Sequence, residues 1–126
     1  MRKKESAVQE ICVRWFRLQF PSIGNLLFAV PNGGSRNIRE AANLKREGVT
    51  AGVSDLIFLF PCGGYGALCI EMKTDEKGSR QSKAQKEWQS LVESVGIKYV
   101  VCRNFDEFVK EIKLYLQPVK EVYFGL

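Results

Sequence analysis

Apolar residues recur with helical spacing at the start of the chain. Between Glu5 and Phe20, the positions Val8, Ile11, Cys12, Trp15 and Leu18 follow the i, i+3, i+4, i+7 rule, which predicts a helix with that stripe buried and Pro21 as its stop. Glu10, Arg14 and Arg17 fall on another face. Residues 26 to 30 (LLFAV) are short, apolar and β-prone, and the Pro31-Asn32-Gly33-Gly34 stretch follows, so a buried strand feeding an irregular loop is expected. A second helix is predicted over 37 to 47, capped by Asn37 and stopped by Gly48. The runs 55 to 60 (DLIFLF) and 67 to 73 (ALCIEMK) read as two strands of a hairpin across the glycine-rich segment 61 to 66. A third helix is predicted over 82 to 95, burying Ala84, Trp88, Leu91, Val92 and Val95. A strand over 97 to 102 and a last amphipathic helix over 105 to 116 complete the order α-β-α-β-β-α-β-α. The economical architecture is α/β, a mixed central sheet flanked by helices.

Composition narrows the chemistry. The 126 residues, 45% hydrophobic and 26% charged, suit one compact domain over 1 to 126, with a core of about 5 to 116 and an apolar tail over 117 to 126. No apolar run approaches the roughly 20 residues that cross a bilayer, and the start MRKKESAVQE lacks a signal-peptide core, so no membrane association and a cytoplasmic location are expected. Cys12, Cys62, Cys69 and Cys102 form no C-x-x-C pair, and three sit among apolar neighbours, as reduced core thiols do. The chain has no histidine. That excludes Ser-His-Asp and Cys-His hydrolases, H-E-x-x-H metalloproteases and histidine-based nucleases, leaving carboxylates, lysine and metal. The net charge of +5 is uneven, since residues 1 to 46 hold nine bases against three acids. A polyanionic partner would suit that surface.

Alternation along ALCIEMK sends Leu68, Ile70 and Met72 to one face and Cys69, Glu71 and Lys73 to the other. The hairpin would bring Asp55 near Glu71. Two carboxylates and a lysine then meet at a sheet edge, a donor set that suits a hard divalent cation with waters and phosphate oxygens completing its shell. The bland alternative is an exposed Glu71–Lys73 ion pair on an edge strand, with Asp55 capping a loop. Spacing alone leaves both open.

The surroundings of these residues are more specific. Gly48-Val49-Thr50-Ala51-Gly52-Val53-Ser54-Asp55, the Glu71-Met72-Lys73 triplet, and Ser82-Lys83-Ala84-Gln85 leading into Trp88 together resemble the VRR-NUC family, the virus-type replication-repair nucleases of the PD-(D/E)XK superfamily. Pro31-Asn32-Gly33-Gly34 with Arg36, and Leu44-Lys45-Arg46-Glu47-Gly48, extend the resemblance over about residues 5 to 103. It implies a restriction-endonuclease-like fold and a DNA endonuclease dependent on Mg2+ or Mn2+. Asp55, Glu71 and the Met72 carbonyl would be metal ligands, Lys73 the catalytic lysine, and Gln85 the glutamine facing the site. Glu10 matches a glutamate that related enzymes add to the metal shell, against a simple i, i+4 ion pair with Arg14. Ser54 stands where the family's proline usually precedes the aspartate. The family also implies a homodimer acting on branched DNA such as a Holliday junction, with a role in DNA repair. A catalytically silent nucleic-acid-binding module of the same fold is the alternative.

Two further features would serve DNA binding. The amides of Asn32, Gly33 and Gly34 with the Arg36 guanidinium could approach a phosphate closely, although Gly33-Gly34 could equally be a plain strand-to-helix turn. Lys77, Arg80, Lys83 and Lys86 form a second basic run after the E-x-K strand, suited to phosphate contacts.

Overall fold

The computed structural model describes residues 4–31, 37–74 and 80–119. Its elements in chain order are α1 (Lys4–Gln19), a 3-10 turn (Pro21–Leu26), β1 (Leu27–Ala29), α2 (Ile38–Arg46), β2 (Leu56–Phe58), β3 (Leu68–Met72), α3 (Lys83–Ser94), β4 (Lys98–Cys102) and α4 (Phe105–Leu116). The hydrophobic pattern does not predict the 3-10 turn. Among the described residues, no helix is long and apolar enough to cross a membrane.

The four strands form one mixed sheet in the order β1-β2-β3-β4. β1 and β2 are antiparallel, β2 and β3 are antiparallel, and β3 and β4 run parallel, joined through α3. Every residue of β3 is buried. The hairpin between β2 and β3 turns at Cys62-Gly63-Gly64-Tyr65, where Cys62 and Tyr65 exchange backbone hydrogen bonds of 3.0 Å in both directions. Both central glycines have positive φ, as a two-residue primed turn requires.

The alternation along β3 holds. Leu68, Ile70 and Met72 join Leu27, Leu56 and Phe58 in the larger core beneath α1 and α4. Cys69 packs with Val92 and Tyr99 on the opposite face, beneath α3. Glu71 shares the α3 face by the same period of two.

Three expectations need correction. The stripe of α1 is rotated: Cys12 and Phe16 are its buried residues, continued by the buried Phe20 just past its end, whereas Ile11 and Leu18 face solvent. Aromatic packing decides this, because Phe16 meets Phe58 at 5.0 Å between ring centroids and Trp15 lies edge-on to Phe20, Phe105 and Phe108. β1 is no buried strand but an edge, covered only at Leu27, with Phe28 and Ala29 open. Arg17 guards it, donating from Nε to the Gly24 carbonyl at 3.2 Å and from Nη2 to the Leu27 carbonyl at 3.0 Å. On α3, Leu91 and Val95 stay exposed; the helix meets the sheet through Trp88 and Val92, four residues apart on a narrower line. The apolar tail expected over 117 to 126 falls mostly on residues 120–126, which lie outside the described residues.

Candidate active site

The β2–β3 register pairs Leu56 with Ile70. Carried one residue further, it sets Asp55 opposite Glu71, where β2 has ended and β3 has not. Asp55 uses the gap. Its carbonyl accepts from Val30 N at 2.9 Å, while its side-chain Oδ2 accepts from Met72 N at 2.7 Å. The carboxylate thus replaces a strand carbonyl as the partner of a ladder N–H, and is fixed beside β3.

Glu71 is 1% exposed. Its Oε2 accepts from Gln85 Nε2 at 3.0 Å and lies 3.9 Å from Lys73 Nζ, and its Oε1 is buried with no hydrogen-bond partner. Lys73 is itself 11% exposed, so the pair is no exposed edge-strand ion pair. Burial, then the hydrogen bonding and charge of the neighbouring Asp55 carboxylate, push the Glu71 pKa up to about 8; Lys73 pulls it down and Glu5 adds to the rise. The Asp55 carboxylate is close enough to accept a bond from a protonated Glu71 and to repel an ionised one.

Gln85 is oriented by its own helix. Ser82 caps α3, accepting at Oγ from Gln85 N at 3.1 Å, and Ser82 N donates to Gln85 Oε1 at 2.8 Å, closing a capping box. With its oxygen engaged by Ser82, the Gln85 amide presents only its NH2 to Glu71. Gly52 holds the preceding loop against the same turn of α3: its φ is +84°, and a Cβ there would come within 2.4 Å of the Ala84 carbonyl carbon and oxygen. Ser54, in the place of the family's proline, is fully buried beside the Cys69 thiol.

The structure therefore brings Asp55, Glu71, Met72, Lys73 and Gln85 together. Glu10 is half-exposed on α1, 3.7 Å from Arg14 in an i, i+4 ion pair. The α1 acid whose charge reaches Glu71 is Glu5, which is not among the candidates that sequence motifs single out. Its signal is present nonetheless: Glu5, Val8 and Cys12 lie at i, i+3 and i+7, on the core side of the helix. Tyr99 belongs to no motif either. Its hydroxyl accepts from Gln81 Nε2 at 3.1 Å, and burial, with the Glu71 charge second, raises its pKa. Arg80, Lys83 and Lys86 lie around the start of α3. Lys83 and Lys86 oppose the positive end of the helix dipole, so helix stability does not account for them. Asn32, Gly33, Gly34, Arg36 and Lys77 lie outside the described residues.

Among the described residues, no three Asp, Glu, Cys or His side chains gather as a metal cage. A magnesium-like ion needs none, taking one or two carboxylates and keeping several waters. Two facing carboxylates at a strand end, one with an orphaned buried oxygen, fit that demand.

A mixed sheet flanked by helices thus carries Asp55 and the Glu71-Met72-Lys73 triplet at adjoining strand ends, with Gln85 from the next helix, and the family match below makes this a nuclease-like fold. The VRR-NUC domain model matches residues 3–106, and the chain belongs to that family. A solved structure described as a VRR_NUC domain protein superposes with a TM-score of 0.78 at 30% identity, covering 93% of this chain and 91% of that one. No curated protein matches the chain in sequence. The family suggests a nuclease, and a nuclease domain implies DNA binding.

Proposed function

We propose that this protein is a metal-dependent DNA endonuclease hydrolysing phosphodiester bonds. The observation that carries the reading is the close Asp55–Glu71 carboxylate pair, in which Glu71 is buried, Asp55 is partly covered and Glu71 Oε1 is unpartnered. Two like charges held side by side with one of them out of water are costly, and a bound cation would offset the cost. Asp55, Glu71 and the Met72 carbonyl would hold Mg2+ or Mn2+, with Glu5 as the nearest candidate for added acidic charge and Glu10 as the alternative proposed from the family pattern. When bound, such an ion lowers the pKa of a water and neutralises charge growing on the phosphate.

The chain's own residues account for the rest. Gln85 holds Glu71 through Oε2, which leaves Oε1 for the site. Lys73, held in reach of Glu71 and almost wholly covered, would orient the attacking water or shield a phosphate oxygen as a point charge. Arg80, Lys83 and Lys86 would bind the phosphate backbone at the start of α3, and Lys77, Asn32, Gly33, Gly34 and Arg36 are proposed as further backbone contacts. A homodimer would place two sites about a two-fold axis, as paired cuts across a branched or Holliday junction require.

The test incubates the protein with linear duplex, single-stranded, flap and four-way-junction DNA, with and without Mg2+ or Mn2+, beside Asp55→Asn. Metal-dependent cutting that disappears in the variant supports the reading, and preference for the junction supports structure selectivity. Binding without cutting under every metal condition would establish a silent binding module instead.

A further inference from the structure

A helix of nine residues is too short to persist in water on its own, and soluble helices bury an apolar stripe to survive. α2 buries none. Over Ile38–Arg46 only Leu44 is partly covered, and Ile38 is 89% exposed. Its ends are well made: Asn37 Oδ1 accepts from Glu40 N at 2.8 Å, and the chain turns at Gly48 with φ +107°. The helix is locally built, yet it presents its side chains to solvent.

Those side chains are sorted by charge. Ile38, Ala42, Lys45 and Arg46 follow i, i+4, i+7 and i+8, and Arg39 lies one turn-repeat from Arg46, so the three bases and Ile38 share one face. Glu40, Leu44 and Glu47 occupy the opposite side, where Leu44 is partly covered. The acids thus lie away from the basic face, although Glu40 and Glu47 are exposed too. Lys45 and Arg46 suit the last turn of a helix, but Arg39 sits in the first turn against the dipole, and no described acid pairs with it across the helix by the i, i+4 rule. Helix stability does not explain this arrangement.

We propose that the Ile38–Arg39–Lys45–Arg46 face of α2 is a DNA-docking surface, distinct from the basic run on α3. The charge complement is a phosphate backbone, met by three bases with no acid among them. Ile38 supplies an apolar contact against sugar or an unstacked base. Position supports the choice of partner: the loop leaving α2 reaches Asp55 through Gly52, which is locked onto the first turn of α3. α2 therefore joins the candidate site along one short connection that is anchored at Gly52. The inference rests on the nuclease reading only for the identity of its ligand.

The test measures binding of fluorescein-labelled duplex and four-way-junction DNA by anisotropy, with Ca2+ present, across a salt series. The triple variant Arg39→Gln/Lys45→Gln/Arg46→Gln keeps good helix formers at exposed positions, and Lys110→Gln/Lys113→Gln on α4 serves as the control. The slope of log Kd against log salt on duplex should become shallower by about 0.9 for each phosphate no longer neutralised, with affinity reduced about tenfold or more, while the control changes little per charge removed. Ile38→Ser should weaken binding without altering the slope. An unchanged slope in the triple variant, or an equal per-charge effect in the control, overturns the proposal. So does a fall in solution mass caused by either α2 variant, which would assign the face to a second copy of the chain. If the parent cuts DNA and the triple variant binds normally, the inference fails and the nuclease reading stands. If no DNA is cut under any metal but the slope changes as expected, the surface stands and the hydrolase does not.

Discussion

Gly52 lies directly against the backbone of Ala84, with no room for a β-carbon between them. The contact ties the loop that delivers Asp55 to the helix turn that delivers Gln85. Two sides of the candidate site are therefore set by one glycine, which also holds a positive φ that other residues reach only with strain. Gly52→Ala should lower stability by roughly 2–4 kcal/mol and weaken Mn2+ binding, because the loop that carries Asp55 must move away from Ala84. Thermal melts with calorimetric titration check this; unaltered values for both would show the loop is free to move away from α3.

Glu71→Gln and Asp55→Asn remove ligand charge at nearly constant volume. Either should abolish cleavage while leaving DNA binding in Ca2+ within a few fold of the parent. Turnover by either variant near the parental rate would displace the reaction from this carboxylate pair.

The Asp55, Glu71 and Lys73 cluster is legible in the sequence because a strand has a period of two: E-x-K necessarily puts Glu71 and Lys73 on one face, and the hairpin brings an upstream acid alongside. The fold class is legible for similar reasons, since apolar periodicity marks the helices and Pro21, Asn37, Gly48 and Gly96 mark several of their ends. What stays hidden depends on neighbours distant in sequence. Phe16 rather than Ile11 is buried because Phe58 and Phe20 receive it. Leu27–Ala29 is an edge because, among the described residues, no further strand pairs beside it. Glu5, whose charge reaches Glu71, goes unremarked because the direction of α1 over the sheet is not readable from spacing alone.

A raised pKa carries a sign. Unfolded, Glu71 would titrate near 4.5, and in the fold near 8. Between those values the folded metal-free chain keeps a proton that the unfolded chain has lost, so stability falls as pH rises from about 4.5 to about 8 and this group adds no slope beyond. Glu71→Gln should remove that slope. In EDTA, the Tm difference between variant and parent should grow in the variant's favour from pH 5 to pH 8 and then level off. A difference independent of pH would mean that Glu71 is ionised throughout.

Lys83 and Lys86 stand at the start of α3 against the dipole. Replacing both with Gln should leave stability unchanged or slightly raised, and should make the salt slope of DNA binding shallower by about 0.9 for each phosphate they neutralise. An unchanged slope would return them to solvated charge.

All four thiols, Cys12, Cys62, Cys69 and Cys102, are buried and unbridged. Burial, the leading cause in each case, carries Cys12 and Cys102 up to about 12, far from the thiolate form that reacts. The native protein should therefore resist alkylating and oxidising reagents, and any modification must wait for the structure to open. Because Cys12 and Cys102 belong to the core beneath α1 and α4 while Cys69 belongs to the one beneath α3, the order in which these sulfurs become labelled would time the two layers separately. The molecule carries its own residue-specific clocks for local unfolding on either side of the sheet.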